Sequence, residues 1–196
     1  GHKLAVMRAF FPEQQPQSLD DVAAIRWSLR SDGQAGFLFF NNHQRYQELP
    51  DKKDIQFTLK TRHGQLQIPR DPIAIPSGSY GFWPINLDCG GITVQYATVQ
   101  PLCQLEADRK QWFFFKATDG IRPEFMLKTK DGPEFIDTIR PGSGIAFSRQ
   151  TEAGKTVNFA VVTARQAKQL WKNPFAGRQR IILCDQAVLA EADGRI

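Results

Sequence analysis

Three closely spaced aromatic residues, Tyr80, Phe82 and Trp83, are the strongest candidates for ligand binding in this 196-residue chain. They follow a flexible turn, Pro76-Ser77-Gly78-Ser79. Exposed aromatic faces stack on the C–H surfaces of sugars and on nucleobases. The competing interpretation is that the rings pack in the core or against a neighbouring domain, which is the commoner role of such residues. We therefore take the three as candidate carbohydrate-binding residues, on the condition that their rings are exposed and roughly coplanar.

The sequence evidence for catalytic acids is much weaker than that for ligand-binding aromatic residues. Glycoside hydrolysis requires two carboxylates that flank the sugar, roughly 5–9 Å apart. Glu124 and Glu134 are the acidic residues nearest to turn–strand junctions, but nothing in their spacing pairs them, and we interpret both as solvated surface residues. His43 and His63 are interpreted as loop residues rather than ligands. Motifs for a nucleophile elbow, a zinc protease, a phosphate loop or a dinucleotide are all missing, so the sequence predicts no catalytic residue and no cofactor.

The three cysteines, Cys89, Cys103 and Cys184, do not form a metal-binding motif. Their number is odd and no CxxC is present, so neither a structural zinc site nor another metal site is predicted. Cys103 and Cys184 lie in apolar, strand-like segments and are predicted to be core thiols. Cys89 precedes Gly90-Gly91 and is predicted to lie at a turn. One disulfide with one free thiol is the disfavoured alternative.

The charge distribution favours an ordinary solvated surface. The chain has 25 basic and 20 acidic residues, which gives a net charge of +5. The basic residues are scattered, without a run of five or more, and isolated charges need no partner. No apolar run approaches the roughly 20 residues that a membrane helix needs. We therefore predict neither a nucleic-acid partner nor a membrane partner; a nucleic-acid-binding barrel is an alternative suggested only by the charge and the aromatic content.

Short apolar segments separated by turns dominate the chain. Gly36–Phe40 is a compact apolar run, and Ile55–Lys60 and Ile92–Val99 alternate between apolar and polar residues. About a dozen such segments, with turns every 8–12 residues, are typical of a β-sandwich. The predicted fold is all-β, an antiparallel β-sandwich with one short helix near the C-terminus. Four phenylalanines on strand faces are predicted to be core residues: Phe37, Phe39, Phe113 and Phe115.

Local signals refine this architecture. The helix is predicted over Ala164–Trp171, because Thr163 can cap its start and Pro174 can end it. Pro84 interrupts the run from Tyr80 to Leu87 and therefore predicts an edge strand or two short strands.

The domain prediction separates a lead-in from one large domain. Residues 1–18 are predicted to be the tail of a helix, ending at Pro12, and a polar linker over 12–18. Residues 19–196 form the predicted sandwich domain, with a further boundary suggested near residue 130. The chain does not begin with Met, and we expect it to be a piece of a longer protein.

Several motifs occur in a characteristic order along the chain. They are Arg26–Gly33 (RWSLRSDG), Gly36–Arg45 (GFLFFNNHQR), Phe57–Leu59 (FTL), Ile75–Pro76 (IP), Trp83–Leu87 (WPINL), Val94–Pro101 (VQYATVQP), and Val161–Ala167 (VVTARQA) followed by Trp171. In this order they resemble the second domain of bacterial β-galactosidases of glycoside hydrolase family 35, which follows the catalytic barrel. The resemblance covers roughly residues 24–190. Each motif alone is a packing signature, so the resemblance depends on their collinearity.

The resemblance implies an accessory role for this chain. The family's enzymes remove terminal β-galactosyl residues with two glutamates on a (β/α)₈ barrel, and a barrel of about 250 residues does not fit here. The chain is therefore expected to be a non-catalytic β-sandwich domain that packs against the barrel and supports it, inactive alone. The implied parent acts on galactoside-containing carbohydrate outside the cytoplasm, in the periplasm or as a secreted enzyme. The alternative is a carbohydrate-binding module that uses surface aromatic residues.

Overall fold

Alternating apolar and polar side chains fold most of the chain into β-strands. The computed structural model describes residues 2–18, 20–61, 64–175, 178–186 and 188. Two short helices and fifteen strands lie within these ranges: α1 His2–Ala5, β1 Arg8–Phe10, β2 Arg26–Ser31, β3 Gly36–Asn41, β4 Lys52–Thr61, β5 Gly64–Ile75, β6 Tyr80–Cys89, β7 Ile92–Ala97, β8 Gln100–Ala107, β9 Lys110–Lys116, β10 Phe125–Thr129, β11 Gly132–Ile136, β12 Ile145–Gln150, β13 Thr156–Val162, α2 Ala164–Lys168, β14 Leu170–Phe175 and β15 Arg178–Leu183. The predicted all-β fold is confirmed.

The largest sheet has seven strands in the order β1-β2-β3-β6-β7-β10-β11, all of them antiparallel. β6 is one continuous strand inside this sheet, between β3 and β7, so the prediction of an edge strand or two short strands from Pro84 was wrong. Registered pairing between β6 and β7 begins at Ile85, directly after Pro84. The residue that lacks an N–H group thus lies where the ladder to β7 starts, and the strand can remain central.

A second sheet has four strands in the order β12-β13-β9-β8. Its β9–β13 pair is parallel, whereas its other pairs are antiparallel. Parallel neighbours require a long crossover connection, and the chain between β9 and β13 supplies it by forming β10, β11 and β12. This parallel pair is an exception among the described strand pairs, which are otherwise antiparallel as predicted. Two hairpins, β4–β5 and β14–β15, complete the strands of the described chain.

Two hydrophobic clusters join these layers. The first lies between the seven-stranded and four-stranded sheets and contains side chains from β7, β9, β10 and β13, including Phe115, Phe125 and Phe159. The second lies between the seven-stranded sheet and the β4–β5 hairpin, and includes Phe57 and Trp83. This is a sandwich in which two different elements cover one large sheet.

The predicted core phenylalanines divide into two groups. Phe113 and Phe115 are buried in the first cluster, as predicted. Phe37 and Phe39 are only partly buried, so that prediction was wrong for them. In β3 the buried positions are Leu38 and Phe40, because successive side chains of a strand point to opposite faces.

Both predicted helical segments differ from the structure. Residues 1–12 were predicted to be a helix tail, but α1 ends at Ala5, and β1 then pairs with the edge of β2. The helix near the C-terminus begins after Thr163 as predicted, with a capping box in which the Thr163 hydroxyl and the Gln166 side chain each accept a backbone N–H. It ends at Lys168, not at Trp171. Trp171 lies in β14 instead, opposite Ile182 of β15, so strand pairing overrides the helical pattern.

Cys103 and Cys184 are free thiols. Cys89 is the last residue of β6 before the turn and is buried in the first cluster. Cys103 and Cys184 are only partly exposed rather than buried, which corrects the prediction of core thiols. Cys103 belongs to β8, the outermost strand of its sheet. Burial still raises the pKa of the Cys103 thiol.

Candidate functional site

The three candidate aromatic residues do not share one surface. Tyr80 is 64% exposed, Phe82 is partly buried and Trp83 is 1% exposed. Side chains alternate between the two faces of a strand, so Phe82 and Trp83, as sequence neighbours in β6, point in opposite directions. The condition of a common exposed platform therefore fails for Trp83. Whether Tyr80 and Phe82 bind carbohydrate stays a prediction.

Trp83 is a core residue instead. Its ring lies 4.8 Å from the Phe40 ring and 5.8 Å from the Phe57 ring, measured between centroids. These contacts attach β6 to β3 and to the β4–β5 hairpin, and they account for the burial of its indole.

On the other face of β6, Phe82 belongs to a partly exposed set of rings. Its ring lies 5.5 Å from Phe39 with an interplanar angle of 35°, and 5.7 Å from Phe37 in an edge-on arrangement. Phe39 and Phe82 face each other directly across the β3–β6 pairing. Tyr80 extends the row, and its ring lies 6.0 Å from the imidazole of His43.

An open groove of about 1010 Å³ is lined by the rings of Phe39, Tyr80, Phe82 and His43, but not by that of Phe37. The segment from Phe11 to Ser18, which contains neither helix nor strand, lines the groove together with the sheet. We call this feature the aromatic groove, and its lining residues are Phe11, Pro12, Gln15, Pro16, Ser18, Arg26, Trp27, Ser28, Phe39, Phe40, Asn41, His43, Tyr80, Gly81, Phe82 and Gln100. The sequence indicated Tyr80 and Phe82, but it missed Phe39 and Arg26, which reach the groove only through strand pairing.

The polar side chains of the aromatic groove are mostly neutral. Ser28, Asn41 and Gln100 contribute hydroxyl and amide groups, Arg26 contributes a guanidinium, and His43 an imidazole. The backbone N–H of His43 donates to Oδ1 of Asn41 at 2.8 Å, which sets the start of the loop after β3. Within the described chain no acidic residue lines the groove, so it lacks the carboxylates of a glycosidase centre.

The two acids considered from the sequence are structural. Glu124 is 9% exposed, so its predicted place on the surface was wrong. Its Oε1 accepts the Tyr96 hydroxyl at 2.6 Å and the Arg70 backbone N–H at 2.9 Å. Glu134 is partly exposed and pairs with the Arg149 guanidinium. Each carboxylate thus has its own partner, and the arrangement resembles no acid–nucleophile pair.

The environment of Glu124 affects the titration of Tyr96. Burial of the phenol, followed by its hydrogen bond to the Glu124 carboxylate, raises the pKa of Tyr96 well above its usual range. Tyr96 therefore stays protonated and serves as a buried hydrogen-bond donor that links β7 to the residue preceding β10.

A second depression, of about 980 Å³, contains acids that cap turns. It includes Asp32 and Asp88 among its lining residues. Asp32 accepts the backbone N–H groups of Gln34 and Ala35, which lower the pKa of its carboxyl, and Asp88 accepts that of Gly91. These are Asx-type turn contacts, so the carboxylates are already committed to local structure.

The described residues offer no metal centre. No group of three or more His, Cys, Asp or Glu side chains in the described chain could hold an ion. His43 lies in the loop after β3, as predicted, and His63 lies outside the described residues. Among the helices that the structure describes, none has the length and apolarity to cross a membrane.

Comparison with known proteins adds no family assignment. No protein-family model matches the chain, and no curated protein matches it. The resemblance to the second domain of family-35 β-galactosidases therefore stays an expectation drawn from the motifs in the sequence.

Proposed function

We propose that this chain is a non-catalytic β-sandwich domain of a β-galactosidase-like glycoside hydrolase, and that it packs against the catalytic (β/α)₈ barrel of the same parent protein. Three features support the proposal: the ordered motifs between residues 24 and 190, the sandwich fold, and an exposed apolar surface in the N-terminal segment. On this proposal the parent acts on galactoside-containing carbohydrate and works outside the cytoplasm.

The observation that carries the proposal is the N-terminal apolar surface, which we define as Val6, Phe10 and Phe11. Their side chains are 76%, 50% and 65% exposed. Phe10 lies in β1, at the edge of the seven-stranded sheet. Three exposed large apolar side chains within six residues exceed the singly scattered exposures that are normal for a protein surface, and a covering domain would remove them from water. The proposed barrel would precede this segment in the chain.

The hydrogen-bond and ion-pair partners of Glu124 and Glu134 favour a structural role for these acids over a catalytic one. Glu124 is committed to Tyr96 and Arg70, and Glu134 to Arg149. Turnover by the domain alone would require a free acid and a second carboxylate at a fixed separation. We therefore expect the isolated chain not to hydrolyse a chromogenic β-galactoside.

Reconstitution tests the packing role. We expect the coding sequence upstream of Gly1 to encode a barrel with two strand-end glutamates. The barrel and this chain, produced separately, should form a complex in size-exclusion chromatography. The triple variant Val6→Ser, Phe10→Ser, Phe11→Ser should weaken the complex, whereas Leu183→Ser, an exposed apolar residue of β15, should not. An upstream region without a barrel, or hydrolysis by the chain alone, would refute the proposal.

The alternative function is a carbohydrate-binding module. The observation that favours it is the aromatic groove, since Tyr80 and Phe82 both line it. Trp83, which was predicted to share this platform, is buried and therefore does not belong to the proposed binding surface.

A further inference from the structure

We infer that the aromatic groove is a binding site for a neutral oligosaccharide. The inference depends on the groove alone and holds whether or not the parent protein is a galactosidase.

The first support is the arrangement of the rings. Phe39 and Phe82 are tilted by 35° with centroids 5.5 Å apart, and both line the groove. Tyr80 is the most exposed ring of the row. Together they form a stepped apolar surface rather than a flat one. Such a surface suits successive sugar rings, whose C–H faces change orientation from one unit to the next, better than it suits a single flat ligand.

The second support is the combination of rings with hydrogen-bonding groups. Sugar hydroxyls both donate and accept, so a sugar site pairs apolar rings with amides, guanidinium groups and hydroxyls. The groove provides them through Ser28 and Gln100, and the Tyr80 hydroxyl adds one more. An apolar peptide or a lipid chain would leave these polar groups without partners, which costs binding free energy.

The third support is charge. Arg26 is the permanent cation of the groove, and no acid of the described chain lines it. A nucleic-acid track needs several cations that follow the phosphates, which a single Arg26 cannot provide. The absence of acids gives a cationic ligand nothing to pair with. A neutral chain of sugars fits this lining best.

The volume and shape are consistent with a short chain rather than a single sugar. The groove of about 1010 Å³ lies at the upper end of the range of roughly 300–1,000 Å³ for small-ligand sites. The segment from Phe11 to Ser18 also lines the groove, so an oligosaccharide that extends beyond the row of rings would contact it.

Titration calorimetry of the chain with β-1,4-galactotetraose and with cellotetraose tests the inference. We expect at least one of them to bind with a Kd of about 1 mM or tighter. Tyr80→Ala and Phe82→Ala should each weaken binding by about tenfold or more, since aromatic anchors dominate such sites. Tyr80→Phe should keep most of the affinity, because it keeps the ring.

Tyr46→Ala is the matched control. Tyr46 is a tyrosine that is 91% exposed and does not line the groove, so its removal should leave the affinity unchanged. Circular dichroism establishes that each variant is folded. Since Tyr80 is already exposed, its variants test the inference even if Phe82→Ala is unstable.

Three results would overturn the inference. The first is no heat from either tetrasaccharide at 10 mM with a folded chain. The second is binding that Tyr80→Ala does not weaken. The third is evidence for a different occupant of the groove while the sugars do not bind. Such evidence would be a dimer detected by sedimentation velocity, or retention of an oligonucleotide at low salt, that Tyr80→Ala abolishes.

Discussion

Phe82 and Trp83 are neighbours in β6, but their rings belong to different environments. The Phe82 ring lies 5.5 Å from Phe39 in the aromatic groove, whereas the Trp83 ring lies 5.8 Å from Phe57 under the β4–β5 hairpin. The alternation of the strand produces this separation. It divides the proposed ligand binding and the core stability between two adjacent positions.

The two positions should therefore respond differently to truncation. Trp83→Ala removes a fully buried ring, and we expect it to lower the free energy of unfolding by about 3–5 kcal/mol. Phe82→Ala removes a partly exposed ring and should cost about 1–2 kcal/mol. Urea denaturation followed by tryptophan fluorescence and by circular dichroism measures both. Equal losses for the two variants would contradict the assignment of Trp83 to the core.

Tyr96→Phe tests the buried hydrogen bond to Glu124. The variant keeps the ring but removes the hydroxyl. Of the two donors to Oε1 of Glu124, the Tyr96 hydroxyl and the Arg70 backbone N–H, only the second then remains. Because the lost bond involves a charged, buried acceptor, we expect a destabilisation of about 1.5–3 kcal/mol. Tyr46→Phe, at an exposed tyrosine, is the control and should change stability little.

The burial of Tyr96, together with its hydrogen bond to Glu124, predicts a loss of stability in alkali. In the folded chain the pKa of Tyr96 is raised, so the phenol keeps its proton above pH 10, where the unfolded chain releases it. The unfolded state then binds fewer protons, and the free energy of unfolding falls as the pH rises above 10. Denaturation midpoints between pH 9 and 11 should show a smaller decline for Tyr96→Phe than for the unmodified chain.

Lys52 predicts a pH dependence of the opposite sign. It is 4% exposed, and its ammonium donates to the backbone carbonyls of Val22 and Pro50. Burial lowers the pKa of Lys52 and Arg26 lowers it further, while Asp21 partly opposes the shift. Between the lowered folded pKa and the unfolded value near 10.5, the unfolded chain binds more protons. The free energy of unfolding should therefore rise with pH in that window.

Lys52→Met measures this contribution. The variant has no ammonium to desolvate, so we expect the rise in stability on approaching pH 10 to be smaller than in the unmodified chain. Lys53→Met, at the exposed neighbouring position, should keep the full rise. An unchanged pH profile for Lys52→Met would show that the desolvation of Lys52 is not its source.

Gly36 is required by a close backbone contact at the start of β3. A Cβ atom at this position would lie 2.6 Å from the carbonyl oxygen of Arg30 in β2. That oxygen belongs to the paired strand and cannot move aside alone, so Gly36→Ala should destabilise the chain by about 1–3 kcal/mol. Gly81→Ala is the matched strand control, because its Cβ would meet its nearest neighbours at an ordinary 3.4 Å. A stable Gly36→Ala variant would refute the contact.

Much of the fold follows from short-range patterns. The turn from Ser31 to Ala35 is held by Asp32, which accepts the N–H groups of Gln34 and Ala35, and β3 begins directly after it. The capping box of Thr163 and Gln166 starts α2 in the same local way. These features depend on residues within a few positions of one another, so the sequence predicts them.

The amino-acid sequence by itself determined the strand-rich character, the turns and the start of the helix near the C-terminus. Only the tertiary structure decided that β6 is central despite Pro84, that β9 and β13 are parallel, and that Trp171 joins β14. It also decided which rings form the aromatic groove, by pairing Phe39 with Phe82 and turning Trp83 inward. The physical reason is range: backbone preferences act between close neighbours in the chain, whereas the burial of a side chain depends on strands that are distant in sequence.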